Sequence, residues 1–218
     1  MSTTPLAAQP AKQPAPIRAL AHFFSWVFHP LFIPACVTAF LVFIDPYTFA
    51  GFNTKYSLFR LIFVIFNTAF IPGFAVFLMW RLKLIQSMHL RTQKERIIPY
   101  AAAMIFYFWA WYVAHRQKEN PGPFIDFLLG SFLAVCAAWF LNIVNKVSMH
   151  AIAIGGFAMF FLLHAFNQSD VTGIYFSIAI LIAGVVCTSR LIVSDHTPAE
   201  IYLGLFAGAF CQVIARWL

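Results

Sequence analysis

The chain has 218 residues, 62% of them hydrophobic and 10% charged, with a mean hydropathy of +0.82 and a formal net charge of +7. An ordinary soluble domain is about 45–50% apolar and about 25% charged, so this composition excludes a soluble globular protein and indicates an integral membrane one. A basic balance of this size can signal nucleic acid, but here the cations fall at the ends of apolar runs, with no arginine-rich tail or basic–aromatic face. The expected anionic partner is lipid.

In chain order, residues 1–18 (MSTTPLAAQPAKQPAPIR) are rich in Pro and Ala and read as a disordered tail ahead of a single transmembrane domain over 19–218. The apolar run that follows carries no small-residue cleavage site and reads as an anchor, not a removed signal peptide. A hydrocarbon core of about 30 Å needs roughly 20 apolar residues in a helix. Seven segments reach or approach that length: about 20–44, 57–80, 98–115, 124–145, 150–167, 171–188 and 198–217. The expected fold is therefore all-α, a polytopic transmembrane helix bundle of six to seven spans. The first segment, interrupted by HPLFIP, is the weakest span and is able to enter and leave on one face.

Pro30, Pro34 and Pro72 predict kinks in the first two segments. AIAIGG, IAGVV and GLFAGAF offer small-residue faces for close helix approach, the last with Gly204 and Gly208 four apart. Cys36, Cys136, Cys187 and Cys211 sit singly in apolar runs, without CxxC or Cys/His spacing. Trp80, Tyr100, Trp109, Trp111, Tyr112 and Trp217 fall near segment ends, as an interfacial belt would. Asn142, Asn145 and Gln212 read as interhelical hydrogen-bonding groups. His22, His29, His115 and His164 lack partner spacing and read as bundle or interface histidines.

Charge collects in three places: HLRTQKERIIP (89–99), KVSMH (146–150) and SRLIVSDHTPAE (189–200). Two crossings separate each from the next, so all three emerge on one side of the membrane. The remaining Lys and Arg divide evenly and leave that side open. Pooled there are Arg91, Lys94, Arg96, Lys146 and Arg190, with Ser148, His150 and His196 and the acids Glu95, Asp195 and Glu200. Charges at membrane depth are costly and usually functional.

Several cations with few free carboxylates repel a metal ion and attract an anion. Arginine forks match phosphate oxygens, whereas divalent-metal hydrolysis calls for clustered carboxylates or a histidine trio, missing here. The expected site binds phosphate and uses no metal or other cofactor. Two histidines suffice for its chemistry, one attacking phosphorus and one protonating the leaving oxygen, with a carboxylate fixing the attacker's tautomer. Glu200 lies four residues after His196, on the same face of a helix beginning there. Asp195, adjacent to His196, is the weaker partner. TPAE (197–200) is also a capping box, which would direct Glu200 to the Thr197 amide instead. The two roles stay open at this point.

These residues resemble the type 2 phosphatidic acid phosphatase superfamily. Ser189-Arg190, five residues, His196, three residues and Glu200 match the spacing of that family's third motif, with Glu for Asp. VSMH (147–150) is similar to its second, Pro-Ser-Gly-His, keeping Ser148 and His150. RTQKERIIP keeps Arg96 of the first; His89 stands where the family lysine would be, and Arg91 or Lys94 would replace it. The resemblance spans about residues 57–217. It implies His196 as a nucleophile forming a phosphohistidine, Glu200 as its orienting partner and His150 as general acid. Arg190, Arg96 and Arg91 or Lys94 would clamp the phosphoryl oxygens, with Ser148, the Met149 amide and Lys146 nearby. Met149 replaces the family glycine, and the family has six spans. The resemblance also implies an outward-facing site in a bacterial cytoplasmic membrane.

The expected function is hydrolysis of a lipid phosphomonoester or diphosphate: isoprenyl diphosphate, phosphatidylglycerophosphate, phosphatidate or a lipid A phosphate. The alternatives are a non-hydrolytic anion or phospholipid transporter and a lipid-to-lipid phosphotransferase. A transporter would carry repeats or broken half-helices at mid-membrane, whereas the polar residues here lie at segment ends.

Overall fold

Among the residues described, six helices are long and apolar enough to cross a bilayer: Thr54–Arg81, Gln93–Arg116, Gly122–Val144, Met149–Phe166, Gly173–Val193 and Pro198–Trp217. The structure is a computed structural model, and it describes residues 13–45, 47–88, 90, 92–167, 172–193 and 196–218. Its helices are α1 (Ala15–Val27), α2 (Ile33–Phe43), α3 (Thr54–Ile65), α4 (Ile71–Arg81), α5 (Gln93–Arg116), α6 (Gly122–Val144), α7 (Met149–Asn167), α8 (Thr172–Val193) and α9 (Pro198–Trp217). The chain is an all-α integral membrane protein.

The weakest expected span is two short helices. Pro30 has no N–H to extend α1, and the chain turns at residues 28–32, closed by Phe32 N–H to the His29 carbonyl at 2.8 Å. Pro34 then sits in the first turn of α2, where its missing donor costs nothing. At 13 and 11 residues, each helix is too short to span. α1 packs on α8, and α2 packs on α3. α1 also begins at Ala15, inside the stretch expected to be irregular.

The kink expected at Pro72 is present in another form. α3 runs into α4 through a π-helical turn, Phe66–Phe70. Pro72 cannot donate to the Thr68 carbonyl, and the Tyr107 hydroxyl of α5 takes that acceptor instead at 3.3 Å. Phe66, Phe70 and Phe74 stack along the outer face of this span, exposed where lipid would lie. Many of the 27 phenylalanines are thus surface residues, which a soluble protein of this size would not carry.

α7 and α9 meet almost backbone to backbone. A Cβ on Gly208 would lie 1.8 Å from the Ile152 carbonyl oxygen, and one on Gly155 would lie 2.1 Å from that of Leu205. Two of the three expected small-residue faces therefore work as expected. Gly184, in the third, faces open space. Asn142 Nδ2 donates to the Gln93 carbonyl at 2.9 Å, and Gln93 Nε2 returns a bond to the Asn142 carbonyl at 3.0 Å, tying α6 to α5. Gln212 Nε2 reaches the Asp126 carbonyl at 3.4 Å, tying α9 to α6. Asn145 ends α6 as its C-cap instead of bridging helices. Tyr100, expected in the interfacial belt, is buried at 6% exposure because it faces inward from α5.

Candidate active site

The packing of α5, α7 and α9 brings three helix N-termini to one end of the bundle, beside the C-terminus of α8. Unpaired amide donors and the positive ends of helix dipoles favour an anion at such a place. Beneath it opens a cavity of about 740 Å³ lined by Arg96, Met149, His150, Arg190 and His196 at this end. The rest of its wall is mostly apolar: Ala69, Pro72 and Gly73 of the kinked span, Pro99, Ala103 and Tyr107 of α5, Phe127 and Val135 of α6, and Phe157 of α7. From Arg96 to Tyr107 along α5 the lining runs about 17 Å at the helical rise. A volume of this size lies in the range of small-molecule sites, roughly 300–1,000 Å³.

α9 starts with a complete capping box: the Thr197 hydroxyl accepts from Glu200 N–H, and the Glu200 carboxylate accepts from Thr197 N–H at 2.9 Å. The same oxygen, Oε2, stands 3.1 Å from His196 Nδ1. The two roles left open by the sequence are thus filled at once. With a carboxylate as acceptor, Nδ1 carries the proton and Nε2 keeps its lone pair. The His196 side chain is 5% exposed and that of Glu200 is 22% exposed. Burial holds the proton affinity of His196 below the ordinary imidazole value, and the Glu200 hydrogen bond pulls it back up.

α5 begins with the same device, a Thr92–Glu95 capping box, which the sequence reading did not single out. The signal was there: T-x-x-E ahead of an apolar run. Glu95 also accepts from Gln86 N–H at 2.9 Å. It is committed to backbone and is not one of the cavity's lining groups. Glu200 is the carboxylate that reaches an imidazole at this end of the bundle, among the described residues.

Arg96 is buried at 9% exposure and joins two of the expected motifs. Its Nε donates to the Leu90 carbonyl at 2.9 Å, and Nη1 donates to the Val147 carbonyl at 3.0 Å. Part of the expected phosphate clamp therefore fixes the chain before α7, while Arg96 also lines the cavity. Arg190, in the last turn of α8, lines the cavity, and its charge bears on His29, His150 and His196 alike.

The other expected site residues divide. His150 lines the cavity, and its Nε2 lies 3.0 Å from the Ser25 carbonyl, so that nitrogen donates and Nδ1 is left to act. Met149 lines the cavity as the first residue of α7. Ser148 is fully buried, and its hydroxyl accepts from Ala151 N–H at 3.5 Å. It starts α7 and does not line the cavity. Ser189 likewise bonds back to the Val185 carbonyl at 2.8 Å. Lys94 is exposed and Lys146 half-exposed, and neither lines the cavity. Arg91, His89 and Asp195 lie outside the described residues.

Sequence reasoning missed α1 and the turn after it. His22, Ser25 and His29 line the cavity, and the His29 ring meets the His150 ring edge to face, 5.4 Å between centroids. His29 and His22 were expected as ordinary bundle histidines, because linear spacing cannot bring them to residue 150. His164, read in the same way, is paired with Asp45 at the other end of α7.

Among the described residues no three His, Cys, Asp or Glu side chains converge as a metal-binding group would. The arrangement can hold an anion between two guanidinium groups, present the His196 lone pair to it and offer His150 Nδ1 for proton transfer. Comparisons with family models, with curated proteins and with solved structures find no match for this chain.

Proposed function

We propose that the protein is an integral membrane phosphatase that hydrolyses a lipid phosphomonoester or diphosphate through a phosphohistidine. One observation carries the reading: the carboxylate-held imidazole of His196 shares a single cavity with Arg96, Arg190 and His150, and that cavity continues as an apolar gallery. The headgroup occupies the charged end and the hydrocarbon tail occupies the gallery. His196 Nε2 attacks phosphorus in line with the lipid oxygen, whose bond to phosphorus breaks. His150 enters this step as the imidazolium, with Nε2–H held by the Ser25 carbonyl, and its Nδ1 proton passes to the lipid oxygen while the arginines hold the non-bridging oxygens. Water, deprotonated by the same His150, then attacks the phosphohistidine and releases phosphate and free His196. Both hands of the reaction are side chains of this chain, so the reading needs no metal.

The shape of the cavity supports hydrolysis over transport. A transporter's site lies between repeats near the bilayer midplane, whereas this charged cluster sits at helix ends above an apolar floor. The resemblance noted above further suggests the outer face of a bacterial cytoplasmic membrane. Phosphate release from isoprenyl diphosphate, phosphatidylglycerophosphate, phosphatidate and lipid A, with and without chelator, tests the reading. Release that survives chelator and vanishes in His196→Ala is expected. No release from any of the four would overturn it.

A further inference from the structure

Three features of the end of α1 and the turn after it bear on the chemistry above. Ser25 is buried at 6% exposure, yet its hydroxyl has no hydrogen-bond partner and lines the cavity. A buried hydroxyl without a partner is costly unless something else satisfies it. The carbonyl of the same residue holds His150 Nε2 at 3.0 Å. Beside both, the His29 ring packs on the edge of His150 and lines the same cavity.

The tautomer of His29 follows from its own backbone. Leu31 N–H points to His29 Nδ1 at 3.4 Å, so Nδ1 accepts and Nε2 carries the proton. Protonating Nδ1 would set two donors against each other. His29 is thereby kept as a neutral donor and is poorly suited to surrender a proton.

We propose that the α1–α2 turn completes the active site, with His29 as a further catalytic residue whose Nε2–H hydrogen-bonds the lipid-side oxygen as it leaves phosphorus. This rests on the phosphatase reading. As the phosphorus–oxygen bond breaks, its electron pair stays on the lipid oxygen. His150 supplies the proton, and His29 steadies the developing charge without transferring its own, as preorganised donors do elsewhere. The Ser25 hydroxyl is a second donor on the same side. The ligand chemistry is an oxyanion attached to the lipid: an alkoxide from a monophosphate, or the proximal phosphate from a diphosphate.

The test compares leaving groups. His29→Phe keeps the ring-on-ring packing and removes the donor; His29→Gln keeps a donor. Phosphate release is followed from a long-chain alkyl phosphate, from the matching diphosphate and from an aryl phosphate bearing the same chain, whose phenolate leaves without help. His29→Phe should lower kcat on the alkyl phosphate by about 10²-fold, the loss seen for one preorganised donor. It should change the aryl rate by less than about 3-fold, while His29→Gln recovers much of the alkyl rate. A deficit larger on the monophosphate than on the diphosphate identifies the alkoxide as the oxygen bound; the reverse identifies the proximal phosphate. Equal losses on alkyl and aryl substrates, or none on either, would overturn the role of His29 while the phosphatase reading stands. Wild-type protein inert toward all three would remove both.

Discussion

Among the described residues, two histidine–carboxylate pairs stand at nearly the same separation, one at each end of the α7 region. His196 Nδ1 lies 3.1 Å from Glu200, and His164 Nε2 lies 3.0 Å from Asp45. The His164–Asp45 side chains are each 2% exposed, and the imidazole stacks on Phe160 and meets Phe40 edge to face. Asp45 also accepts from Tyr47 N–H and from the Thr48 hydroxyl, and its contact with His164 is off the line of a well-aligned hydrogen bond. That pair is packed shut, with phenylalanine where the other has arginine. The His196 pair opens on a cavity with two guanidinium groups and a second imidazole. What separates a nucleophile from a latch here is access and neighbouring charge, not the pair itself.

The sharpest way to break the comparison is to truncate both histidines. His196→Ala should cut phosphate release by more than about 10³-fold, as loss of a nucleophile does. His164→Ala should leave turnover within about 3-fold while destabilising the bundle by about 2–4 kcal/mol through the lost buried ring, Asp45 keeping Tyr47 and Thr48 as donors. Thermal unfolding in detergent alongside turnover separates the two. If His164→Ala were the inactive one, the assignment of roles would be reversed.

Next in size are the arginines. Arg190→Ala should cost about 10²–10³-fold in kcat/KM, as removal of a charge-stabilising group does. Arg96→Ala should lose activity and stability together, because it ties Leu90 and Val147 as well as facing the cavity. Arg190→Ala with wild-type kcat/KM would contradict its place at the phosphate.

Glu200→Gln sharpens the pair itself. It should lower kcat by about 10- to 100-fold and weaken the α9 cap by about 1 kcal/mol. Attack requires neutral His196, so activity falls as pH drops through its proton affinity, already held below the ordinary value by burial. Glu200 pulls that affinity up, so its loss moves the acid limb of the pH–rate profile to lower pH. A shift to higher pH would show that Glu200 does not act on His196. The smallest effects belong to Lys94→Met and Lys146→Met, each expected to change turnover by less than about 2-fold, since neither lines the cavity.

Much of this was legible in the sequence because it is local. Apolar run lengths gave the spans, AIAIGG and GLFAGAF marked faces for close approach without naming their partners, and the spacing of His196 and Glu200 gave the pair. Counting crossings placed Arg96, His150, Arg190 and His196 together, since a membrane leaves a helix only two ends. What stayed hidden depends on tertiary contact. His29 and Ser25 meet His150 only because α1 ends ahead of Pro30 and packs against the bundle. Ser148 and Lys146 belong to a motif by position, yet the start of α7 turns one inward and leaves the other outside.

The claim on which the rest depends is that His196 Nε2 bonds to phosphorus. Incubating wild type, His196→Ala and His164→Ala with radiolabelled lipid phosphate, quenching in base and mapping the labelled peptide tests it directly. The account predicts an acid-labile phosphoryl group on the peptide containing His196, present in wild type and His164→Ala and absent in His196→Ala. Turnover with no label on that peptide, or label retained in His196→Ala, would contradict it.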